Sequence, residues 1–258
     1  MCAEKTCAIV SKSKMLLLAQ PRNGSEIRAL IVAAHELGWE VIEAPSGWRL
    51  EEELTSSGKV GVPYGSQTFC EVISQQMNWQ LKFNPLDWLA KIDRQYLGRK
   101  VEFMTLAQAM QLSEPKFVKP ADDKVFPAKV YYPGIDSLTP HEIIPRDTPV
   151  LVSDPVQFVS EYRCFVKDKQ VVTCSCYIMD GEINEPRNWF KRSEIVAAHL
   201  TKLLACDIIQ SAPAVVDLGY LNTGELVIIE SNQAWASGIY GCDLAGVLDT
   251  LSVACEKA

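Results

Sequence analysis

The sequence predicts a mixed α/β fold, and three local patterns support that class. Apolar residues recur at helical spacing from Ile27 to Leu37, between short apolar runs at residues 15–19 and 39–44. A strand, a helix and a strand in this order predict a β-α-β unit with a parallel sheet. Turn signals at residues 168–169 and 221–224 each separate two apolar runs, so they predict antiparallel hairpins.

The composition is that of an ordinary globular protein. The chain has 258 residues, of which 48% are hydrophobic and 22% charged, enough for one large domain or two to three subdomains. The formal net charge of -7 argues against nucleic acid or a membrane surface as the main partner. The apolar run at residues 15–19 is too short for a signal peptide or a membrane span.

The cysteines predict a reducing compartment. There are nine of them, an odd number without a secretory signal, which favours free thiols in a cytoplasmic protein. Cys174 and Cys176 are two apart on a predicted strand and share a face. Because the chain has only three histidines, we interpret both as core thiols and not as metal ligands.

A lysine ends one apolar strand in the middle of the chain. Phe117-Val118-Lys119-Pro120 places the charge where it can meet a phosphate in a cleft; taken alone, a surface lysine is the simpler interpretation. Lys124 follows in a loop and Lys129 in a strand predicted over residues 125–132. The sequence leaves open which of these two would contact phosphate and which is only solvated.

Three oxygen-bearing side chains converge in the second predicted hairpin. Asp217 falls nearly opposite Glu230, and Asn232 lies on the same strand face as Glu230. Glu230 ends the apolar run at residues 226–229, where a bare charge needs a partner. Oxygen ligands of this kind suit Mg²⁺; the alternative is a strand-end carboxylate in solvent.

Several further residues are candidates for anion or substrate binding. Glu161 and Arg163 share a strand face, and an arginine among apolar neighbours suits bidentate anion recognition, whereas a weak surface pair is the alternative. Arg187 and Arg192 lie in a polar loop predicted over residues 184–192, where they would either bind a substrate carboxylate or simply be exposed. The loop at residues 235–241, which contains Ser237 and Gly238, suits either an acceptor pocket or tight packing.

Taken in order, these segments resemble the ATP-grasp superfamily, and more closely its clade named for one arginine and two lysines. The motifs are Phe117-Val118-Lys119-Pro120, the segment with Lys124 and Lys129, the strand at residues 149–153, Glu161-Tyr162-Arg163, Val216-Asp217 and Glu230-Ser231-Asn232. The resemblance implies an ATP-grasp fold with an N-terminal β-α-β subdomain (residues 1–84), a lysine-bearing subdomain (85–150) and a metal-binding subdomain (151–258). ATP would lie between the last two subdomains.

The resemblance also implies roles for these residues. Lys119 and one of Lys124 and Lys129 would meet the phosphates, Arg163 would meet the γ-phosphate or an acyl phosphate, and Asp217, Glu230 and Asn232 would hold Mg²⁺. The adenine hinge and its surroundings would be formed by residues 151–156, with Asp154 or Gln157 near the ribose. The expected nucleotide contacts in that region are Val152, Ser153, Asp154, Val156, Gln157 and Glu161. Arg187, Arg192, Ser237 and Gly238 are the expected substrate contacts.

The expected reaction is ATP- and magnesium-dependent ligation of a carboxylate to an amine, through an acyl phosphate. An amino acid or a small peptide is the expected substrate, and phosphoryl transfer needs positioning and charge neutralisation more than a protein nucleophile. A kinase that stops at phosphoryl transfer, or an inactive nucleotide-binding module, are the alternatives. A homodimer is an expected assembly, since dimers are common among such folds.

Overall fold

The structure is a computed structural model that describes residues 14–21, 24–122, 125–133, 144–183 and 190–258. Its elements alternate between strands and helices in the first third of the chain and are mostly strands afterwards. The strands are β1 (Leu16–Ala19), β2 (Glu40–Glu43), β3 (Gly61–Tyr64), β4 (Trp79–Leu81), β5 (Val101–Thr105), β6 (Lys116–Pro120), β7 (Lys129–Tyr131), β8 (Pro149–Ser153), β9 (Phe158–Lys167), β10 (Gln170–Met179), β11 (Glu182–Ile183), β12 (Ala214–Leu221), β13 (Leu226–Gln233) and β14 (Cys255–Lys257). The α-helices are α1 (Ser25–Glu36), α2 (Glu52–Thr55), α3 (Gln67–Met77), α4 (Leu106–Ala109), α5 (Phe190–Ala205) and α6 (Leu244–Leu251).

The N-terminal unit is the predicted parallel β-α-β arrangement. β1 pairs in parallel with β2 and with β3, giving the order β2-β1-β3. All four residues of β1 are buried, as expected for a strand covered on both faces. Ser66 caps α3, since its side chain accepts a hydrogen bond from the Phe69 amide.

The lysine-bearing strand lies in a four-stranded antiparallel sheet with the order β5-β8-β6-β7. Thr105 and Gln108 form a capping box at the start of α4, which packs on one face of this sheet. The strand predicted over residues 125–132 is wrong in length, because only Lys129–Tyr131 is extended and paired. Pro127, in the excluded part, has no N–H to give to a ladder.

A five-stranded antiparallel sheet with the order β11-β10-β9-β12-β13 carries the remaining candidate residues. Both predicted hairpins form, since β9 pairs with β10 and β12 pairs with β13. A β-bulge lies between Asp217 and Leu218, next to the candidate metal ligands, where bulges re-aim side chains. The predicted boundary between residues 150 and 151 falls inside β8, which belongs to the four-stranded sheet.

The two faces of the five-stranded sheet pack on different partners. Tyr162 and Cys164 join a core with Val196 and Leu200 of α5, whereas Phe165 joins the core of the N-terminal unit. Since strand side chains alternate, Glu161 and Arg163 are on the face opposite α5. Cys176 is buried in the α5 core with Cys174 packed against it, as expected for core thiols.

The described helices are short. The longest, α5, has 16 residues, and none of them combines the length and the apolar character needed to cross a bilayer.

Candidate functional site

An ion pair joins the two larger sheets across the cleft between them. Lys119 on β6 contacts Glu230 on β13 through Nζ and Oε2, and the two side chains are 20% and 28% exposed. Burial would raise the pKa of Glu230, but the Lys119 ammonium and hydrogen bonds from Asn232 and Lys119 outweigh it and lower the pKa to about 2. A lysine near the end of β6 and an ionised carboxylate within β13 therefore meet in one cleft.

A cavity of about 280 Å³ opens beside this ion pair. Its walls are mostly apolar side chains from both sheets, and its polar groups are few, which is the composition of a small-molecule site. The lining residues are Leu89, Arg99, Val101, Phe117, Lys119, Val130, Leu151, Ser153, Asp154, Pro155, Val156, Phe158, Glu161, Ile229 and Glu230. Lys119 and Glu230 also line a smaller crevice, together with Asn84, Trp88 and Asn232.

Some residues of the predicted adenine hinge line the cavity, and others pack in the core. Ser153, Asp154 and Val156 line the cavity, whereas Val152 is 2% exposed and packs in the core under α4. Gln157 is exposed and is not a lining residue. The alternation of side chains along β8 explains why Ser153 and not Val152 reaches the cavity.

Asp154 is anchored by neighbouring strands. Its carboxylate accepts a hydrogen bond from Lys116 Nζ (2.8 Å) and another from the Lys100 amide (3.2 Å). The hydrogen bond from Lys116 lowers the pKa of Asp154, with burial opposing it. The hinge therefore presents an ionised acceptor at the edge of the cavity.

Arg163 and Asp217 form a buried bidentate ion pair on the same face of the sheet. Arg163 donates from Nε to Oδ1 (3.0 Å) and from Nη2 to Oδ2 (2.7 Å) of Asp217, and its Nη1 donates to the Gly238 carbonyl (3.0 Å). The two side chains are 8% and 0% exposed. Burial raises the pKa of Asp217 to about 6, although Arg163 opposes the shift.

The three predicted metal ligands meet. Asp217 pairs with Glu230 in register, and Asn232 Nδ2 lies 2.9 Å from Glu230 Oε1 and 3.4 Å from Asp217 Oδ2. Among the described residues, no three histidine, cysteine, aspartate or glutamate side chains form a metal site; the third member of this set is the Asn232 amide, which here donates from Nδ2. Asp217 Oδ2 accepts from both Arg163 and Asn232, and the Glu230 oxygens accept from Lys119 and Asn232. Carboxylate and amide oxygens are the ligand types that Mg²⁺ prefers, so the set fits Mg²⁺ once Asn232 turns its Oδ1 toward the carboxylates and Lys119 leaves Glu230.

Aromatic rings enclose Arg163 on the side of the predicted substrate loop. Its guanidinium carbon lies 5.2 Å from the Tyr177 ring centroid and 4.6 Å from that of Tyr240. Tyr177 donates its hydroxyl hydrogen to Glu161 Oε2 (2.7 Å), and burial raises the pKa of Glu161. No local pattern marked Tyr177 as a site residue, because its partners lie on β9 and in the loop after β13.

Ser237 and Gly238 lie beside this cluster, and their polar groups bind other parts of the protein. Ser237 is buried, its hydroxyl donates to the Gln233 carbonyl (2.7 Å), and its own carbonyl accepts from the Tyr64 hydroxyl (2.7 Å). The Gly238 carbonyl binds Arg163. The loop is therefore fixed by the N-terminal unit and by Arg163 together.

Of four further predicted cations, two are described and do not line the cavity, and two fall outside the described residues. Lys129 is exposed, with Nζ 4.8 Å from the Tyr131 ring centroid, and its neighbour Val130 lines the cavity instead. Arg192 is exposed on α5, the helix that covers the opposite sheet face. Lys124 and Arg187 lie outside the described residues.

Arg99 is a cavity residue that the sequence patterns did not indicate. It lies between β5 and the preceding turn, is 6% exposed, and lines the cavity. It follows Gly98 in a polar stretch, so no periodic pattern marked it as buried. Only the tertiary contacts reveal a third cation beside Lys119 and Arg163.

Solved structures share this architecture at low identity. The chain matches a RimK domain ATP-grasp protein from Sphaerobacter thermophilus DSM 20745 with a TM-score of 0.52 and 15% identity, covering 92% of this chain and 99% of that one. It matches D-alanine–D-alanine ligase from Bacillus anthracis with a TM-score of 0.50 and 13% identity, covering 93% and 97%. At such identities, the matches show the fold alone.

The family follows from a sequence model. No curated protein matches the chain. The model of an ATP-grasp domain family, the second family of the clade named for one arginine and two lysines, matches residues 96–250. This match spans more than half of the chain and includes both strands that meet in the ion pair. The chain therefore belongs to the ATP-grasp superfamily, in this clade.

Proposed function

We propose that the protein is a magnesium- and ATP-dependent ligase that joins a carboxylate to an amine. The observation that carries the proposal is the meeting of Lys119 and Glu230 across the cleft, beside an apolar cavity with a polar hinge. A cation for phosphate, a carboxylate for a metal ion and an apolar slot for a base are the groups that a nucleotide needs. Membership of the ATP-grasp superfamily supports ATP as that nucleotide.

In this proposal the base occupies the apolar cavity and the phosphates extend toward Lys119. Leu151, Val156 and Ile229 cover the base, and Asp154 accepts hydrogen bonds from the ribose. Lys119 exchanges its bond to Glu230 for a phosphate oxygen. This exchange leaves Glu230 ionised and available as a ligand.

Glu230 and Asn232 would hold Mg²⁺, with Asp217 as the third oxygen donor. The ion supplies charge neutralisation at the phosphates when it is bound. Arg163 fixes the position of Asp217 through two hydrogen bonds, so its contribution is to orient a ligand as well as to add positive charge. The aromatic rings of Tyr177 and Tyr240 hold the guanidinium in turn.

The proposed reaction has two steps. A substrate carboxylate attacks the γ-phosphorus, and the bond to ADP breaks to give an acyl phosphate. An amine then attacks the acyl carbon and displaces phosphate. The protein contributes positioning and electrostatics, which are the main requirements of phosphoryl transfer, and the substrate pair is an amino acid or a small peptide with an amine acceptor.

The test is ADP release from ATP and Mg²⁺ with pooled amino acids and small peptides, followed by mass spectrometry of the products. We expect ADP, phosphate and an amide in equal amounts. A phosphorylated product without an amide identifies a kinase, and tight ATP binding without turnover identifies a nucleotide-binding module. Either result contradicts the ligase. Sedimentation of the same sample tests the homodimer, which stays a prediction.

A further inference from the structure

Arg99 is a buried guanidinium whose hydrogen bonds are unevenly distributed. Its Nη1 donates to the carbonyls of Leu97 (2.9 Å) and Ile228 (3.0 Å), and its Nη2 donates to the carbonyl of Ile229 (2.8 Å). A guanidinium has five N–H groups. Within the described part of the chain, the Nε–H and the second Nη2–H have no partner, and these two groups form the edge that binds two oxygen atoms side by side.

Arg163, the other buried arginine of the cleft, has a carboxylate bound at the same edge. The same two atoms of Arg163, Nε and Nη2, bind both oxygens of Asp217. Arg99 has no carboxylate in ion-pair contact among the residues that the structure describes. The two arginines of this cleft therefore differ, since one has an internal anion on its bidentate edge and the other does not.

The surroundings of Arg99 keep it charged and fixed. Burial lowers the pKa of Arg99 to about 10, with Glu230 opposing the shift, so the side chain stays protonated at neutral pH. Its guanidinium carbon lies 5.6 Å from the Phe158 ring centroid, and both residues line the 280 Å³ cavity. A buried charge without a counter-charge is costly, and an anion in the cavity would supply the missing partner.

We propose that Arg99 binds a phosphate group of the nucleotide through Nε and Nη2. The proposal rests on the proposed function, because it takes the cavity to be the nucleotide site. It moves the direct phosphate contact from Arg163, which is occupied by Asp217, to Arg99. Three backbone carbonyls orient the guanidinium before the ligand arrives, which reduces the entropy lost on binding.

The experiment compares adenosine, AMP, ADP and ATP by isothermal titration with the wild type, Arg99→Met and Arg99→Lys. In Arg99→Met we expect adenosine affinity to stay within about twofold and ATP affinity to fall about 10- to 100-fold, the worth of charged hydrogen bonds. Along the series adenosine, AMP, ADP and ATP, the first compound whose affinity falls in Arg99→Met identifies which phosphate, α, β or γ, Arg99 contacts. Arg99→Lys keeps the positive charge but lacks the planar pair of N–H donors that binds two oxygens, so its ATP affinity should lie between those of Arg99→Met and the wild type.

Arg146→Met is the matched control, since Arg146 is exposed in the segment before β8, and its affinities should equal those of the wild type. An equal loss for adenosine and ATP in Arg99→Met assigns Arg99 a structural role and overturns the proposal, as does unchanged ATP affinity. If Arg99→Met does not fold, Arg99→Lys decides by the same comparison, and unfolding of both variants also assigns a structural role. A wild type that binds none of the four compounds overturns the proposed function itself.

Discussion

The buried ion pair between Arg163 and Asp217 makes a large and measurable prediction for Asp217→Asn. Asp217 is fully buried and accepts both Nε and Nη2 of Arg163. Asparagine keeps the shape of the side chain but turns one acceptor into a donor and removes the counter-charge. Arg163 would keep one hydrogen bond to the asparagine oxygen, the Gly238 carbonyl and the two tyrosine rings, but it would have no carboxylate in ion-pair contact among the described residues.

The expected loss is about 3–5 kcal/mol of unfolding free energy, the usual cost of breaking a buried pair by removing one partner. For a domain of this size, each kcal/mol lowers Tm by about 2–4 °C, so Tm should fall by roughly 6–20 °C. Circular dichroism during thermal and urea unfolding measures both quantities. The control is Asp207→Asn, which breaks the exposed pair with Lys169 and should cost less than about 1 kcal/mol.

A double variant separates two contributions to the loss: the missing ion-pair interaction and the cost of a buried Arg163 without a counter-charge. The double variant Arg163→Met with Asp217→Asn replaces both charged side chains, so neither charge remains buried without its partner. The double variant should therefore be more stable than the sum of the two single losses predicts. A single Asp217→Asn loss below about 1 kcal/mol, or strictly additive losses, would refute the assignment of a buried, energetically coupled pair.

Three further predictions concern the cleft. Glu230→Gln should abolish magnesium-dependent ATP turnover while the far-ultraviolet circular dichroism spectrum is retained; surviving turnover would remove Glu230 from the metal site. Lys119→Ala should weaken ATP binding about 10-fold or more in titration calorimetry, by loss of a charged contact, and unchanged affinity would exclude a phosphate role. Because burial raises the pKa of Glu161 above its ordinary value of 4.5, ionisation of this group in the folded state lowers stability as pH rises above that value. Glu161→Gln should therefore gain stability relative to the wild type as pH rises above about 4.5, whereas exposed Glu182→Gln should show no such trend. Stability profiles of Glu161→Gln and the wild type that run parallel with pH would contradict this.

The elements that local patterns predicted are those with a strong local signal. The spacing from Ile27 to Leu37 predicted α1, and turn residues predicted both hairpins, because periodicity and turn chemistry are local properties. The length of β7 was overestimated, since the prediction extended the strand across Pro127, which has no N–H to donate to a ladder. A tight hairpin turn fixes cross-strand pairing near the turn, which made it predictable that Asp217 lies nearly opposite Glu230. The exact pairing depends on the bulge between Asp217 and Leu218, because the register nearer the turn would pair Asp217 with Ile229.

The candidate residues separate in the same way. The meeting of Lys119, Glu230 and Asn232 could be anticipated, because polar groups that follow apolar strand residues are conspicuous; their roles stay predictions. Lys129 and Arg192 were equally conspicuous, yet the first does not line the cavity and the second lies on α5, behind the sheet. Which face a side chain occupies depends on pairing and on what packs against each face.

Sequence patterns were sufficient for the α/β class, the order of the motifs and the identity of a lysine strand and a carboxylate strand. Which charges neutralise each other could be read only from the folded chain. Lys119 meets Glu230 across the cleft, Arg163 binds Asp217, and Arg99 lines the cavity with its Nε–Nη2 edge unpaired among the described residues. The physical reason is that charge pairing and hydrogen bonding act over a few ångströms between residues that lie from 54 to 130 positions apart in the chain, a proximity that no local pattern encodes.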